Sequence, residues 1–90
     1  MTTPTKKPRP RTAYPDHDWA RVGATLRQLR MDRGATQAEL ATAMGFVNLA
    51  SVSQIELGIK PLTDAKLMRA AEFLGVRPIV IRRPELMEDK

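Results

Sequence analysis

Cysteine is absent from this chain of 90 residues, so neither a disulfide framework nor a thiolate metal site can be built. Histidine occurs once, as His17; alone it cannot hold a metal, and it reads as a solvated residue ahead of a helix. No apolar run approaches the ~20 residues that cross a bilayer, and the N-terminus lacks the apolar stretch of a signal peptide. A soluble cytoplasmic chain without membrane contact is expected. Also missing are a glycine-rich phosphate loop, a cluster of metal ligands and a histidine set among acids at a useful spacing. An enzyme is therefore not expected, nor a cofactor or a small-molecule ligand. There are no internal repeats. Ninety residues suit one small domain, a size that is marginal and often gains stability from a partner.

Positive charge is in excess, with a net +5 and an isoelectric point near 10.2. Its placement is uneven. Residues 1–15 carry Lys6, Lys7, Arg9 and Arg11 and no acid, residues 16–76 balance, and residues 77–90 carry a slight basic excess. Four of the seven prolines (Pro4, Pro8, Pro10 and Pro15) also lie in that first stretch. Such a segment cannot form a helix or bury enough surface to fold alone, so residues 1–15 read as a flexible basic arm of the kind that meets nucleic acid.

Order is expected from Asp16 or Asp18, either of which can cap a helix. Trp19, Val22, Leu26 and Leu29 then recur at helical spacing, and Gly34 suits the left-handed position after the helix. Thr36-Gln37-Ala38-Glu39 is a capping box, in which Thr36 and Glu39 bond reciprocally to each other's backbone. It opens a second helix of about two turns, with Leu40, Ala41 and Met44 inward and Gly45 at its end. Asn48 is the expected N-cap of a third helix running to Leu57, with Val52 and Ile55 inward and Gly58 as its break. After Pro61, Thr63 opens a fourth helix striped by Leu67, Ala70, Ala71 and Leu74 and stopped by Gly75.

The tail changes character. Ile79-Val80-Ile81 lies between Pro78 and Pro84 and reads as a short edge strand or extended segment. Two outcomes stay open for it: packing on its own domain, or pairing with the same strand of a second subunit. The expected architecture is thus all-α, with four or five helices over residues 16–76, the arm before them, and a C-terminal extension at 77–90 that holds a short β segment.

Two short helices joined by a tight turn and braced on both sides form a helix-turn-helix arrangement. The second helix of such a pair fits the major groove of B-DNA. Here its outer positions are Asn48, Leu49, Ala50, Ser51, Ser53 and Gln54, none of them charged. Solvated helices of ordinary bundles usually carry Lys/Glu pairs, whereas a base-reading face favours amides and hydroxyls.

With those residues in view, the stretches LRQLRMDRGATQAELATAMGF and SVSQIELG resemble the lambda-repressor-like (Cro/C1, Xre-type) helix-turn-helix family. The matching positions are Arg30, Gly34, Thr36, Gln37, Leu40, Ala41, Gly45, Val52, Ser53, Glu56 and Gly58, and the likeness runs from about Val22 to Val76. The resemblance implies a lambda-repressor-like bundle that regulates transcription, most often as a repressor, and binds near-palindromic double-stranded DNA as a homodimer. Dimerisation through residues 79–82 is one expectation. Leu49, Ala50, Ser51, Ser53 and Gln54 would face bases, Gln54 being suited to a bidentate bond with adenine. Gln37, Asn48 and Lys60 would meet phosphates, as would Lys6, Lys7, Arg9 and Arg11 of the arm. Arg30 and Glu56 would form a structural salt bridge that orients the reading helix. Gly45 to Glu56 spans eleven positions, one more than is common in the family, so the turn should bulge at Phe46-Val47.

A rival reading is a protein-interaction module, an antitoxin-like or anti-repressor chain that keeps the helix-turn-helix shape. The basic arm favours DNA over it. With no second domain expected to sense a ligand, control is expected to come from concentration, dimerisation or a partner. Deleting residues 1–12 should weaken binding to every DNA sequence and flatten the salt dependence by up to roughly four phosphate contacts; an unchanged slope in a binding titration would remove the arm from the interface.

Overall fold

The computed structural model describes residues 18–83. The expectations for the arm (Lys6, Lys7, Arg9 and Arg11 included), for Asp16 and His17, and for residues 84–90 lie outside the described residues. Asp18 shows why the first helix starts where it does: its carboxylate accepts the Arg21 backbone N–H at 3.1 Å, satisfying a donor that has no partner within the helix. Helix α1 follows at Trp19–Arg33 and ends at Gly34. Thr36 closes its capping box with Glu39 at 2.9 and 3.0 Å and opens α2, Gln37–Met44, which ends at Gly45. Helix α3 is Ala50–Glu56. Helix α4 is Asp64–Leu74, capped by the Thr63 hydroxyl and ended by Gly75.

The apolar stripes converge on one core. Val22 and Leu26 of α1, Leu40, Ala41 and Met44 of α2, Val52 and Ile55 of α3, and Leu67, Ala70 and Ala71 of α4 are all buried, together with Leu62 and Ile81. Trp19, Leu29, Phe46, Phe73, Leu74 and Val76 pack around them. No helix among the described residues is long and apolar enough to cross a membrane.

Residues 77–83 depart from the expectation. They form a fifth helix, α5, Pro78–Arg82, and not a strand. Two physical facts decide against the strand. Proline is well suited to the first turn of a helix, where its missing N–H costs nothing. The helical turn also drives Ile81 into the core, fully buried, and brings the Arg82 guanidinium to Asp64 Oδ1 at 2.7 Å, at the start of α4. The strand preference of Ile79-Val80-Ile81 is a packing preference, and docking against α1 and α4 overrides it. The folded unit therefore continues beyond residue 76, and pairing of this segment as a strand between subunits loses its basis.

Gly23 carries a constraint that the periodicity does not reveal. It is buried in the middle of α1, and a Cβ there would lie 2.6 Å from the Glu56 carbonyl oxygen and closer still to that of Ile55. The last turn of α3 thus rests directly on the α1 backbone. Alanine ordinarily gains about 1 kcal/mol over glycine in a helix interior, but overpacking costs typically 1–3 kcal/mol or more. Gly23→Ala should lower the denaturation midpoint; an unchanged or raised midpoint would mean that α3 does not sit against α1 in this way.

Candidate nucleic-acid interface

Helices α2 and α3 are joined by the turn 45–49. Gly45 ends α2 with φ 87°, and the Phe46 N–H donates back to the Ala41 carbonyl at 2.9 Å. Phe46 then turns inward against the core while Val47 is fully exposed. Asn48, expected as the N-cap, stands one residue earlier than the cap position, which Leu49 occupies without a side-chain bond. Asn48 nevertheless does the chemistry of a cap: its Oδ1 accepts the Ala50 N–H at 3.0 Å. The helix is also one residue shorter than expected at its end, with Leu57 as its C-cap.

The inner face of α3 presents Val52, Ile55 and Glu56, all buried. Its outer face presents Leu49, Ala50 and Gln54, exposed, with Ser51 and Ser53 half-buried. That surface carries hydroxyls, an amide and small apolar groups with no charge. Base edges offer matching donors, acceptors and thymine methyls.

Glu56 fixes how this face is presented. Its carboxylate receives Arg30 Nε at 2.7 Å, Arg30 Nη2 at 3.1 Å and Gln37 Nε2 at 3.0 Å. Arg30 Nη1 donates in addition to the Ala35 carbonyl, at 2.9 Å, in the link between α1 and α2. One carboxylate therefore ties α1, α2 and α3 together. Its side chain is 2% exposed and that of Arg30 is 11%, so the bridge is a buried, bidentate one. Gln37 sits at the first position of α2 with one amide hydrogen committed to Glu56. An amide nitrogen carries two donors, and this bond uses one of them.

Lys60 lies in the loop after α3, with Nζ 3.5 Å from Ser51 Oγ. It stands 5.8 Å from the centre of the Phe46 ring, and Lys66 of α4 stands 4.5 Å from the same ring. Neither Phe46 nor Lys66 stands out as a site residue in the sequence. They are 20 positions apart and only the tertiary fold joins them, so no local signal points to the pair.

The helix-turn-helix family model matches residues 26–81. Among curated proteins, the HTH-type transcriptional regulator RamB of Mycobacterium tuberculosis is 44% identical over 55 residues, which make up 61% of this chain but 11% of RamB. Among solved structures, the restriction-modification controller protein C.AhdI of Aeromonas hydrophila superposes with a TM-score of 0.64 at 28% identity, over 68% of this chain and 91% of that one. The clp gene regulator ClgR of Corynebacterium glutamicum superposes with a TM-score of 0.65 at 31% identity, over 69% and 65% of the two chains.

Removing one partner of a buried ion pair leaves an uncompensated buried charge and typically costs 3–5 kcal/mol. Glu56→Ala and Arg30→Ala should each destabilise the fold by roughly that amount, and the double variant by clearly less than their sum. Urea titrations of the four proteins measure this coupling; if Glu56→Ala unfolds at the wild-type midpoint, the bridge does not hold α3.

Proposed function

The chain belongs to the helix-turn-helix family, and from that premise we propose that it is a sequence-specific, double-stranded DNA-binding transcriptional regulator of Cro/C1, Xre type that reads the major groove with α3. The observation that carries the reading is the uncharged outer face of α3, Ala50–Glu56, held by a buried bridge that leaves the face free. In this reading Leu49, Ala50, Ser51, Ser53 and Gln54 meet base edges, with the Gln54 amide suited to adenine and Ala50 and Leu49 to thymine methyls. Gln37, Asn48 and Lys60 meet phosphates, which position the protein without choosing the sequence. Repression is the expected outcome of such binding, by occupation of the DNA.

The names of the relatives support a regulator and not an enzyme: RamB is a transcriptional regulator, C.AhdI a controller protein and ClgR a gene regulator. They do not favour the antitoxin-like or anti-repressor alternative. A homodimer on a near-palindromic site follows from the reading, because one α3 contacts only a few base pairs and a second copy one helical turn away doubles the specific contacts. A cytoplasmic protein held on the nucleoid through its DNA contacts follows likewise.

The test begins by selecting binding sites from random duplex at stated salt. Two half-sites about one turn apart support the dimer, and no enriched sequence overturns the reading. On the selected site, Gln54→Ala should relax preference at one base pair per half-site by about 1–3 kcal/mol while leaving the salt slope unchanged. An equal loss on all sequences would move Gln54 from the bases to the backbone.

A further inference from the structure

The positive charge within the folded part is not spread evenly, and three cations gather around one turn. Lys60, Lys66 and Arg69 come from the loop after α3 and from α4, yet all three meet at Gly45-Phe46. Lys66 Nζ lies over the Phe46 ring at 4.5 Å and donates to the Met44 carbonyl at 3.1 Å; Lys60 Nζ stands 5.8 Å from the same ring. Arg69 reaches across Gly45, its Nη1 2.8 Å from the point where a Cβ would stand, and Lys66 Nζ is 3.4 Å from that point. Among the described residues none of the three has a carboxylate within ion-pair distance, whereas Arg30 and Arg82 are each paired. Three cations brought together without a counter-ion repel one another, and the cluster holds because aromatic and carbonyl groups take the place of an acid. Such an arrangement is poised for an anion.

The position of the cluster identifies that anion. Lys60 Nζ is 3.5 Å from Ser51 Oγ, at the second residue of α3, so the three charges flank the start of the reading helix. A duplex that receives α3 in its major groove must bring one bordering sugar-phosphate strand past the turn 45–49. Resting on the Proposed function for its occupant, we propose that Lys60, Lys66 and Arg69 form a phosphodiester-binding clamp for that strand, with Phe46 as the positioning residue that pre-arranges the two lysines. Lys66 and Arg69 are thereby assigned a contact from α4. Phe46 gains a role in the same way: its ring face holds the ammonium groups in place before DNA arrives, so less side-chain freedom is lost on binding.

The clamp predicts a particular pattern. Phosphate contacts govern salt dependence and bind all sequences alike, each neutralised phosphate contributing about 0.9 to the slope of log K against log salt. In fluorescence-anisotropy titrations of the full chain on a selected duplex and on an unrelated one, Lys66→Gln with Arg69→Gln should weaken binding to both by similar factors. The slope should fall by roughly 1–2 while the ratio of the two affinities stays near wild type. Phe46→Leu keeps every charge and should weaken binding to both duplexes by roughly two- to fivefold, in a chain shown by its melting curve to be folded. An unchanged slope in the double variant overturns the clamp while leaving the DNA-reading assignment standing, and a wild-type chain that binds no duplex overturns both. If the double variant loses affinity for polyglutamate but not for duplex, the cations belong to an acidic protein surface and the clamp is likewise overturned.

Discussion

Everything the α2–α3 unit does rests on the Glu56 carboxylate. It accepts three hydrogen bonds, two from Arg30 on α1 and one from Gln37 on α2, while standing at the last position of α3. An acid so close to the surface proposed to meet DNA would be a liability if it were exposed. Buried and bonded, it sets the roll and tilt of α3, and its charge is answered inside the protein. The Arg30 guanidinium extends the tie to the Ala35 carbonyl, so the α1–α2 link is fixed by the same group. Gly23 completes the geometry from beneath, since only a residue without a Cβ lets the α3 carbonyls approach the α1 backbone so closely.

The division of charge follows from that constraint. The outer face of α3 is neutral and suited to base edges, while cations lie to its side at Lys60, Lys66 and Arg69 and in the sequence of the arm. In the proposed function, affinity from phosphates and choice of sequence from bases would thus draw on different residues, as the physics of DNA binding favours. Phe46, turned inward by the bend after Gly45, belongs to both halves: it seals the core edge and carries two ammonium groups on its ring.

Much of the fold was legible because its signals are local. Asp18, Thr36 with Glu39, Thr63 and the glycines that follow α1, α2 and α4 each mark a helix end with a bond to a neighbour three or four residues away. The Arg30–Glu56 bridge spans 26 residues, so only the family likeness could suggest it. Asn48 supplies the chemistry its type suggests, one residue before the N-cap, because an Asx bond to Ala50 and an N-cap bond look alike in sequence. The segment 77–83 is harder to read, for a deeper reason. A β-branched triplet between prolines states a preference for packing, and where Ile81 and Arg82 would find that packing depends on α1 and α4. Gly23 reads locally as a weakness in a helix, and only the neighbouring helix turns it into a requirement. Phe46, Lys66 and Arg69 are likewise joined only by the fold.

The central claim is that α3, held by Glu56, lies in the major groove. Dimethyl sulphate methylates guanine at N7, an atom exposed in the major groove, and protection from it on a selected duplex tests the claim directly. Bound protein should shield the N7 of each guanine in the few base pairs facing each α3, because a helix lying in the groove covers that edge whichever base its side chains bond. Guanines that stay fully reactive throughout the bound site, with the protein demonstrably on the duplex, would contradict the account.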